Sequence, residues 1–419
     1  MTLLILFVIF LLADFSVRNY LAMRQIRHVR LHQNQVPVEF SHHISLRSHQ
    51  RAAKYTIART QLSLFESLAD TTLLVALLLL GGLQWLDLFW ARTFSNDWLR
   101  QLCLIGSVFF LGAVIQLPFT LYRTFILEQR FGFNRITPAL FITDQLKGLI
   151  LTLVLGIPLI SAILWLMSSA GPLWPWWAWL IWVSFSLFVM WLFPSVIAPL
   201  FNKFEPLDRE DLKVRIEQLA QRCGFKLNGL FIMDGSKRSS HGNAYFTGLG
   251  HNKRIVFFDT LLNKLNEDEI EAVLAHELGH FKFHHIRKRM IWSFLFSLLL
   301  LLILGWLSQQ VWFYTQLGVL PQLGRPNDGL ALVLFFLVVP VFTFWIGPLF
   351  SLLSRKNEYE ADAFAAEQSK PEYLVQALIK LYNDNAATLT PDPVYSAYYS
   401  SHPAAIQRVH HLQQFYEKN

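Results

Sequence analysis

The chain has 419 residues, of which 53% are hydrophobic and only 16% charged, whereas a soluble protein carries roughly a quarter charged residues. Its mean hydropathy is +0.36, which excludes an ordinary soluble domain and points to an all-α multi-pass membrane protein. The formal net charge of +7 reads as basic loops that set membrane orientation, and no nucleic-acid recognition module accompanies it.

A membrane helix needs roughly 17–25 apolar residues, and about seven stretches meet that length. They lie near 1–17, 63–86, 99–121, 146–168, 173–200, 290–316 and 329–352. The first opens MTLLILFVIFLLADF, and its basic residues (Arg18, Arg24, Arg27, Arg30) follow the apolar run. A signal peptide has the opposite order, so this segment reads as an uncleaved anchor with its N-terminus outside. The 18–62 loop adds Arg47, Arg51, Lys54 and Arg59, and the 122–147 loop is also basic. The connections at 87–98, 169–172 and 317–328 are charge-poor or balanced. The positive-inside rule then puts the C-terminus, and both 201–289 and 353–419, in the cytoplasm. The histidines of the first loop (His28, His32, His42, His43, His49) read as surface residues. Pro194 and Pro199 are expected to kink or end the fifth span near the cytoplasmic surface. Cys103 and Cys223 form no C-x-x-C pair and read as reduced thiols.

Residues 201–289 form a polar insert. A helix is predicted over 208–222 from its apolar spacing. Strands are predicted at 228–234, 243–248 and 254–258. Leu261 to His284 reads as another helix, with Asn266 as its N-cap and Glu267, Asp268 and Glu269 in its first turn.

Within that helix, residues 276–280 read His-Glu-Leu-Gly-His. Positions i and i+4 share a helix face, so His276 and His280 can reach one metal ion. Two imidazoles suit Zn2+, whose catalytic sites keep one position open for water. Glu277 is offset by one residue and can take a proton from that water. A third ligand must come from elsewhere. After the last apolar stretch the chain reads RKNEYEADAFAAEQ, where Glu358 and Asp362 are again i and i+4. Glu358 can ligate the metal while Asp362 accepts a hydrogen bond from a ligand imidazole. Glu360 and Glu367 read as ordinary solvated charges. His284 continues the row from His280, but lies one turn too far for a compact tetrahedral site.

Several blocks in order make the chain resemble the type I CAAX prenyl protease family: IAPLFNKFEPL at 197–207, GSKRSSHGNAYFTG at 235–248, HELGH at 276–280, NEYEADAFA at 357–365 and SHPAAIQR at 401–408. The resemblance implies one Zn2+ per chain on His276, His280 and Glu358, with Glu277 as base and Asp362 behind a ligand. It implies that Asn243 binds the substrate backbone, that His402 stabilises the oxyanion, and that Arg408 supports the site and pairs with Asp362. It also implies seven helices around an intramembrane chamber, capped by a cytoplasmic zinc-protease domain with a small β-sheet. The expected partners are the lipid bilayer and peptide or protein substrates, prenylated C-terminal segments among them. The expected membrane is the inner membrane if the source is bacterial and the endoplasmic reticulum if eukaryotic. The terminal FYEKN shows no ER-retention signal.

The expected organisation is 1–200 for spans one to five, 201–289 for the catalytic insert, 290–352 for spans six and seven, and 353–419 for the C-terminal helical part. Two other functions match parts of the sequence. A site-two-type intramembrane protease also uses H-E-x-x-H, and Asn327-Asp328-Gly329 is similar to its second motif. There the first motif lies in an apolar helix, unlike LNEDEIEAVLA here. A non-enzymatic transporter or scaffold would close its metal with four protein ligands.

Overall fold

The computed structural model describes residues 1–225, 229–247 and 254–416. Asn228 and Gly248, at the ends of two predicted strands, and residues 417–419 of the terminal stretch lie outside the described residues. In chain order, α1 (Thr2–His32), α2 (Leu46–Leu78), α3 (Gly82–Thr93), α4 (Asp97–Leu121), α5 (Pro138–Ser169), α6 (Trp174–Leu192) and the short α7 (Ala198–Phe201) lead to the polar insert. The insert holds β1 (Phe204–Pro206), α8 (Glu210–Arg222), β2 (Leu230–Met233), β3 (Ala244–Thr247), β4 (Arg254–Phe258), α9 (Asp259–Leu262) and α10 (Glu267–Lys282). After it come α11 (His285–Leu307), α12 (Val311–Thr315), α13 (Asp328–Thr343), α14 (Gly347–Gln368), α15 (Pro371–Asp384), α16 (Pro393–Tyr399) and α17 (Ala405–Gln413).

Seven stretches among the described residues are long and apolar enough to cross a membrane: Thr2–His32, Leu46–Leu78, Asp97–Glu128, Pro138–Ser169, Gly171–Phe201, His285–Leu307 and Asp328–Gln368. Six bury at most 17% of their most apolar window, against 56% in the seventh. A solid bundle would bury more of each helix, so low burial fits a wall one helix thick. The exception is α13, which packs against α1 and α4 and contributes Leu330, Leu334, Phe335 and Val338 to a membrane-side core with Phe7, Leu78 and Leu104.

The count agrees with expectation, but the boundaries do not. The loop assigned to 18–62 is mostly helix, since α1 runs to His32 and α2 starts at Leu46. At 1.5 Å per residue these helices are about 45–50 Å long, well beyond a hydrocarbon core of about 30 Å. Their basic ends therefore extend as helix past the apolar layer. His49 is not a surface residue: it is buried, and its Nε2 lies 3.0 Å from the carbonyl oxygen of His32, tying α2 to the end of α1. The fifth span does deviate at its prolines, in a π turn over Phe193–Ile197, before ending at Phe201. The sixth begins at His285 rather than residue 290. The seventh passes through a 3-10 turn at Phe344–Ile346 into α14 and runs to Gln368, so the apolar span leads directly into the acidic stretch.

The insert's sheet has the order β1-β2-β4-β3. β2 pairs in parallel with β4, while β1 and β3 add antiparallel edges. β1 is an edge strand missing from the sequence-based reading; with three residues and Pro206 at its end it carries almost no alternation to detect. Leu212, Ile216 and Leu219 of α8 are fully buried at helical spacing. They join Ile255 and Phe257 of β4, Ile270, Leu274 and Leu278 of α10, and residues from α14, α15 and α17 in one core. The two ends of the chain's polar part thus share a hydrophobic core around α10.

Candidate active site

α10 begins one residue after Asn266, whose side chain accepts from Glu269 N–H while the Glu269 carboxylate accepts from Asn266 N–H. This capping box starts the helix at Glu267 and leaves Leu261 in the separate α9, rather than in one helix from Leu261. The acidic first turn suits the positive end of the helix dipole. Ile270, Leu274, Ala275 and Leu278 bury one side of α10. Another side lies against α14, where a Cβ added at Gly279 would stand 3.0 Å from Ala361 Cα and 3.2 Å from its carbonyl oxygen. The glycine inside the motif thus permits a backbone-to-backbone approach that brings two histidines to a carboxylate.

Among the described residues, His276, His280 and Glu358 form one group able to hold a metal ion. His276 Nε2 and His280 Nε2 are 3.3 Å apart. Glu358 Oε2 is 3.5 Å from His276 Nε2, and Glu358 Oε1 is 3.4 Å from His280 Nε2. Ligands at about 2.0–2.1 Å from a tetrahedral centre stand about 3.3–3.4 Å from one another; the two imidazole nitrogens have that separation, and each has one oxygen of the Glu358 carboxylate within 3.5 Å. Glu358 Oε2 is moreover buried with no hydrogen-bond partner. A buried carboxylate oxygen left so is costly, and a cation between these donors would satisfy it. The donor set therefore fits a metal.

Behind the donors, His276 Nδ1 lies 2.8 Å from Asp362 Oδ1. Asp362 in turn accepts from Arg408 Nε at 2.8 Å and Nη2 at 2.5 Å. Asp362 is 0% and Arg408 5% exposed, so this is a fully buried, bidentate pair. Burial disfavours a charged His276, but the neighbouring carboxylates of Asp362 and Glu358 outweigh that and hold its pKa up, at about 9. A cation that takes Nε2 must displace that proton.

The remaining candidates lie around this centre. Glu277 is half-buried, and its carboxylate makes no hydrogen bond or ion pair with the described residues. His402, on the turn between α16 and α17, has its side chain 61% exposed and its Nε2 3.4 Å from Glu358 Oε1. Asn243 is exposed and sits one residue before β3 rather than on it. Its carbonyl oxygen accepts from Phe258 N–H and its Oδ1 from Ala244 N–H at 2.9 Å, and its side-chain NH2, at the head of an edge strand, has no partner among the described residues.

One reading changes, that of Glu360. His284 stands at the break between α10 and α11 in the left-handed region (φ 58°) and is exposed, so it does not face the donors. His285 does: it is 4% exposed, with its Nδ1 3.0 Å from His280 Nδ1. Glu360 is not merely solvated, because its Oε2 lies 3.0 Å from His285 Nε2. Sequence reasoning missed this pair, since a histidine five residues after His280 is off its helical face until the chain breaks. The second motif of the site-two reading is placed elsewhere: Asn327 donates to Gln322 and Arg325 carbonyl oxygens at the start of α13, the far end of the seventh span from Glu358.

The Gly279 contact carries a prediction. Gly279→Val is expected to cost about 1–3 kcal/mol by overpacking and to lose most of the bound metal, because the atoms it meets are backbone and cannot yield. Metal content by mass spectrometry, with the thermal midpoint alongside, checks it; full metal content in the variant refutes it.

Residues 25–203 match the family described as CAAX prenyl protease N-terminal, five membrane helices. Residues 206–415 match peptidase family M48. The chain is 34% identical to the CAAX prenyl protease 1 homolog of Arabidopsis thaliana over 96% of this chain and 95% of that one. It is 34% identical to CAAX prenyl protease 1 of Saccharomyces cerevisiae (98% and 95% covered) and 30% to the human homolog (94% and 92%). Its fold matches the crystal structure of S. mikatae Ste24p with a TM-score of 0.90 at 32% identity, covering 98% of both chains.

Proposed function

This chain belongs to the type I CAAX prenyl protease family of M48 metallopeptidases, and from that premise we propose that it is a zinc endopeptidase with His276, His280 and Glu358 as ligands and Glu277 as base. That it is a multi-pass membrane metalloprotease acting on peptide bonds follows from the family; the metal's identity and the residue roles are our reading. The observation that carries it is the grouping of the two imidazole Nε2 atoms, 3.3 Å apart, with the Glu358 carboxylate, whose oxygens lie 3.4 and 3.5 Å from them, beside the Glu277 carboxylate, which has no partner among the described residues. Two imidazoles and one carboxylate in that spacing suit Zn2+.

Bound zinc would supply a Lewis acid for the scissile carbonyl and lower the pKa of water. Glu277 takes a proton from the attacking water and later delivers it to the leaving amine. His402, exposed on its turn and with Nε2 3.4 Å from Glu358 Oε1, donates to the carbonyl oxygen as it becomes charged. Asn243 offers its side-chain NH2 to the substrate backbone where an extended peptide would add beside β3. Asp362 accepts the Nδ1 proton of His276, which leaves Nε2 as the metal-facing lone pair, and Arg408 keeps Asp362 ionised and in place.

The proposed organisation is 1–200 and 290–352 as membrane parts, with 201–289 and 353–419 forming the catalytic unit through their common core. We place the N-terminus outside and the catalytic unit in the cytoplasm, on the strength of the basic segments. That would be the inner membrane in a bacterium or the endoplasmic reticulum in a eukaryote. The relatives' names make prenylated C-terminal segments the leading substrate class. A farnesylated peptide is expected to be cleaved at least about tenfold faster, in kcat/KM, than its unlipidated twin, the factor that about 1.4 kcal/mol of apolar contact provides. Chelator should abolish both reactions, with Zn2+ restoring them. Equal rates for the two peptides would reject the prenyl preference; cleavage unaffected by chelator would reject the metal reading.

A further inference from the structure

Both proposed ligand imidazoles need their Nδ1 protons accepted by something, and the structure uses different routes. His276 meets Asp362 directly, at 2.8 Å. His280 meets another imidazole: its Nδ1 is 3.0 Å from His285 Nδ1, and His285 Nε2 is 3.0 Å from Glu360 Oε2. Hydrogen-bond polarity then leaves one neutral arrangement. The Glu360 carboxylate can only accept, so His285 carries its proton on Nε2 and accepts at Nδ1. His280 must therefore donate from Nδ1, and its Nε2 holds a lone pair. That Nε2 is the atom 3.3 Å from His276 Nε2 and 3.4 Å from Glu358 Oε1.

The backbone makes this contact possible. A helix continued past Lys282 would turn residue 284 toward His280, being i+4. Instead His284 takes a left-handed conformation (φ 58°), α11 restarts at His285, and the His285 ring is carried over His280 at a centroid distance of 5.2 Å. A non-glycine residue rarely adopts that conformation. The break is also the junction between α10 and the sixth membrane span.

We propose that His285, held by Glu360, is a positioning residue that fixes the tautomer and ring orientation of His280 for the metal. The inference rests on the metal reading above. It makes α14 the source of three carboxylates that hold the metal or its histidine ligands: Glu358 toward the ion, Asp362 behind His276, and Glu360 behind His280 through His285. Such partners are worth about 10–100-fold in metal affinity.

The test uses the purified full chain in detergent. It compares the parent with His285→Phe, Glu360→Ala, Glu360→Gln and His280→Ala, by Zn2+ competition against a chromophoric chelator, the ligand-field spectrum after Co2+ substitution, and the thermal midpoint of chelator-treated protein. His285→Phe is expected to bind Zn2+ about 10–100-fold more weakly and to shift the Co2+ spectrum. Glu360→Ala should weaken binding in the same direction with an unchanged metal-free midpoint, since its side chain is 38% exposed. Glu360→Gln should stay close to the parent, because its amide oxygen still accepts. If His285→Phe fails to fold, Glu360→Ala decides the matter. Parental Zn2+ affinity and Co2+ spectrum in Glu360→Ala or a folded His285→Phe, alongside lost binding in His280→Ala, overturn the relay and spare the ligand assignment. Retained binding in His280→Ala overturns both.

Discussion

Glu277→Gln is expected to lower peptide cleavage by about 10²–10⁴-fold, the usual worth of a positioned acid–base group, while bound zinc and thermal midpoint stay at parental values. The expectation rests on where Glu277 stands. It shares α10 with two donors but points off their row, is half-buried, and has no described partner to compete for its carboxylate. Gln has nearly the same shape and cannot take a proton from water. Because Glu277 holds no other residue in place, its loss should leave the fold untouched. Cleavage of the same peptide at equal enzyme and zinc concentrations checks it. Parental activity in a zinc-loaded variant would remove Glu277 from the mechanism.

The second large effect separates Glu358 from Asp362. Glu358→Ala is expected to lose nearly all bound zinc, because two imidazoles alone make an incomplete site, with only a modest stability cost. Asp362→Ala removes more than a hydrogen bond to His276. It leaves Arg408 charged and 5% exposed without its bidentate partner. Stranding a buried charge costs about 3–5 kcal/mol, so this variant should show a clearly lower metal-free thermal midpoint as well as zinc binding weakened about 10–100-fold. Arg408→Ala should destabilise comparably, and combining the two should cost less than their sum. Zinc titrations paired with denaturant unfolding give both axes. Full zinc occupancy in Glu358→Ala would show that another group is the third ligand; unchanged stability in Asp362→Ala would show that Arg408 finds another partner or reaches water.

What the sequence determined by itself was whatever repeats locally. Apolar length marks a membrane span without reference to neighbours, so seven spans could be counted. The i, i+4 spacing of His276 and His280, and of Glu358 and Asp362, follows from helical geometry alone, as does the Asn266–Glu269 cap. The tertiary structure decided what depends on residues far apart in the chain. It set the approach of Gly279 to Ala361, which brings the two histidines beside Glu358, and the burial of Asp362 with Arg408, which turns a hydrogen-bond acceptor into half of a buried ion pair. It also set the helical extent of the basic segment before residue 62, where charge content masked helix continuing beyond the apolar layer. Above all it decided the partner of His280. No periodicity relates His280 to His285, because the left-handed turn at His284 breaks the helix between them, and none relates His285 to Glu360 across a membrane excursion of two spans. The spacing His-Glu-x-x-His states that two imidazoles can face one metal; the packing of α10 on α14 brings the Glu358 carboxylate to them, and the break before α11 brings His285 to His280 Nδ1.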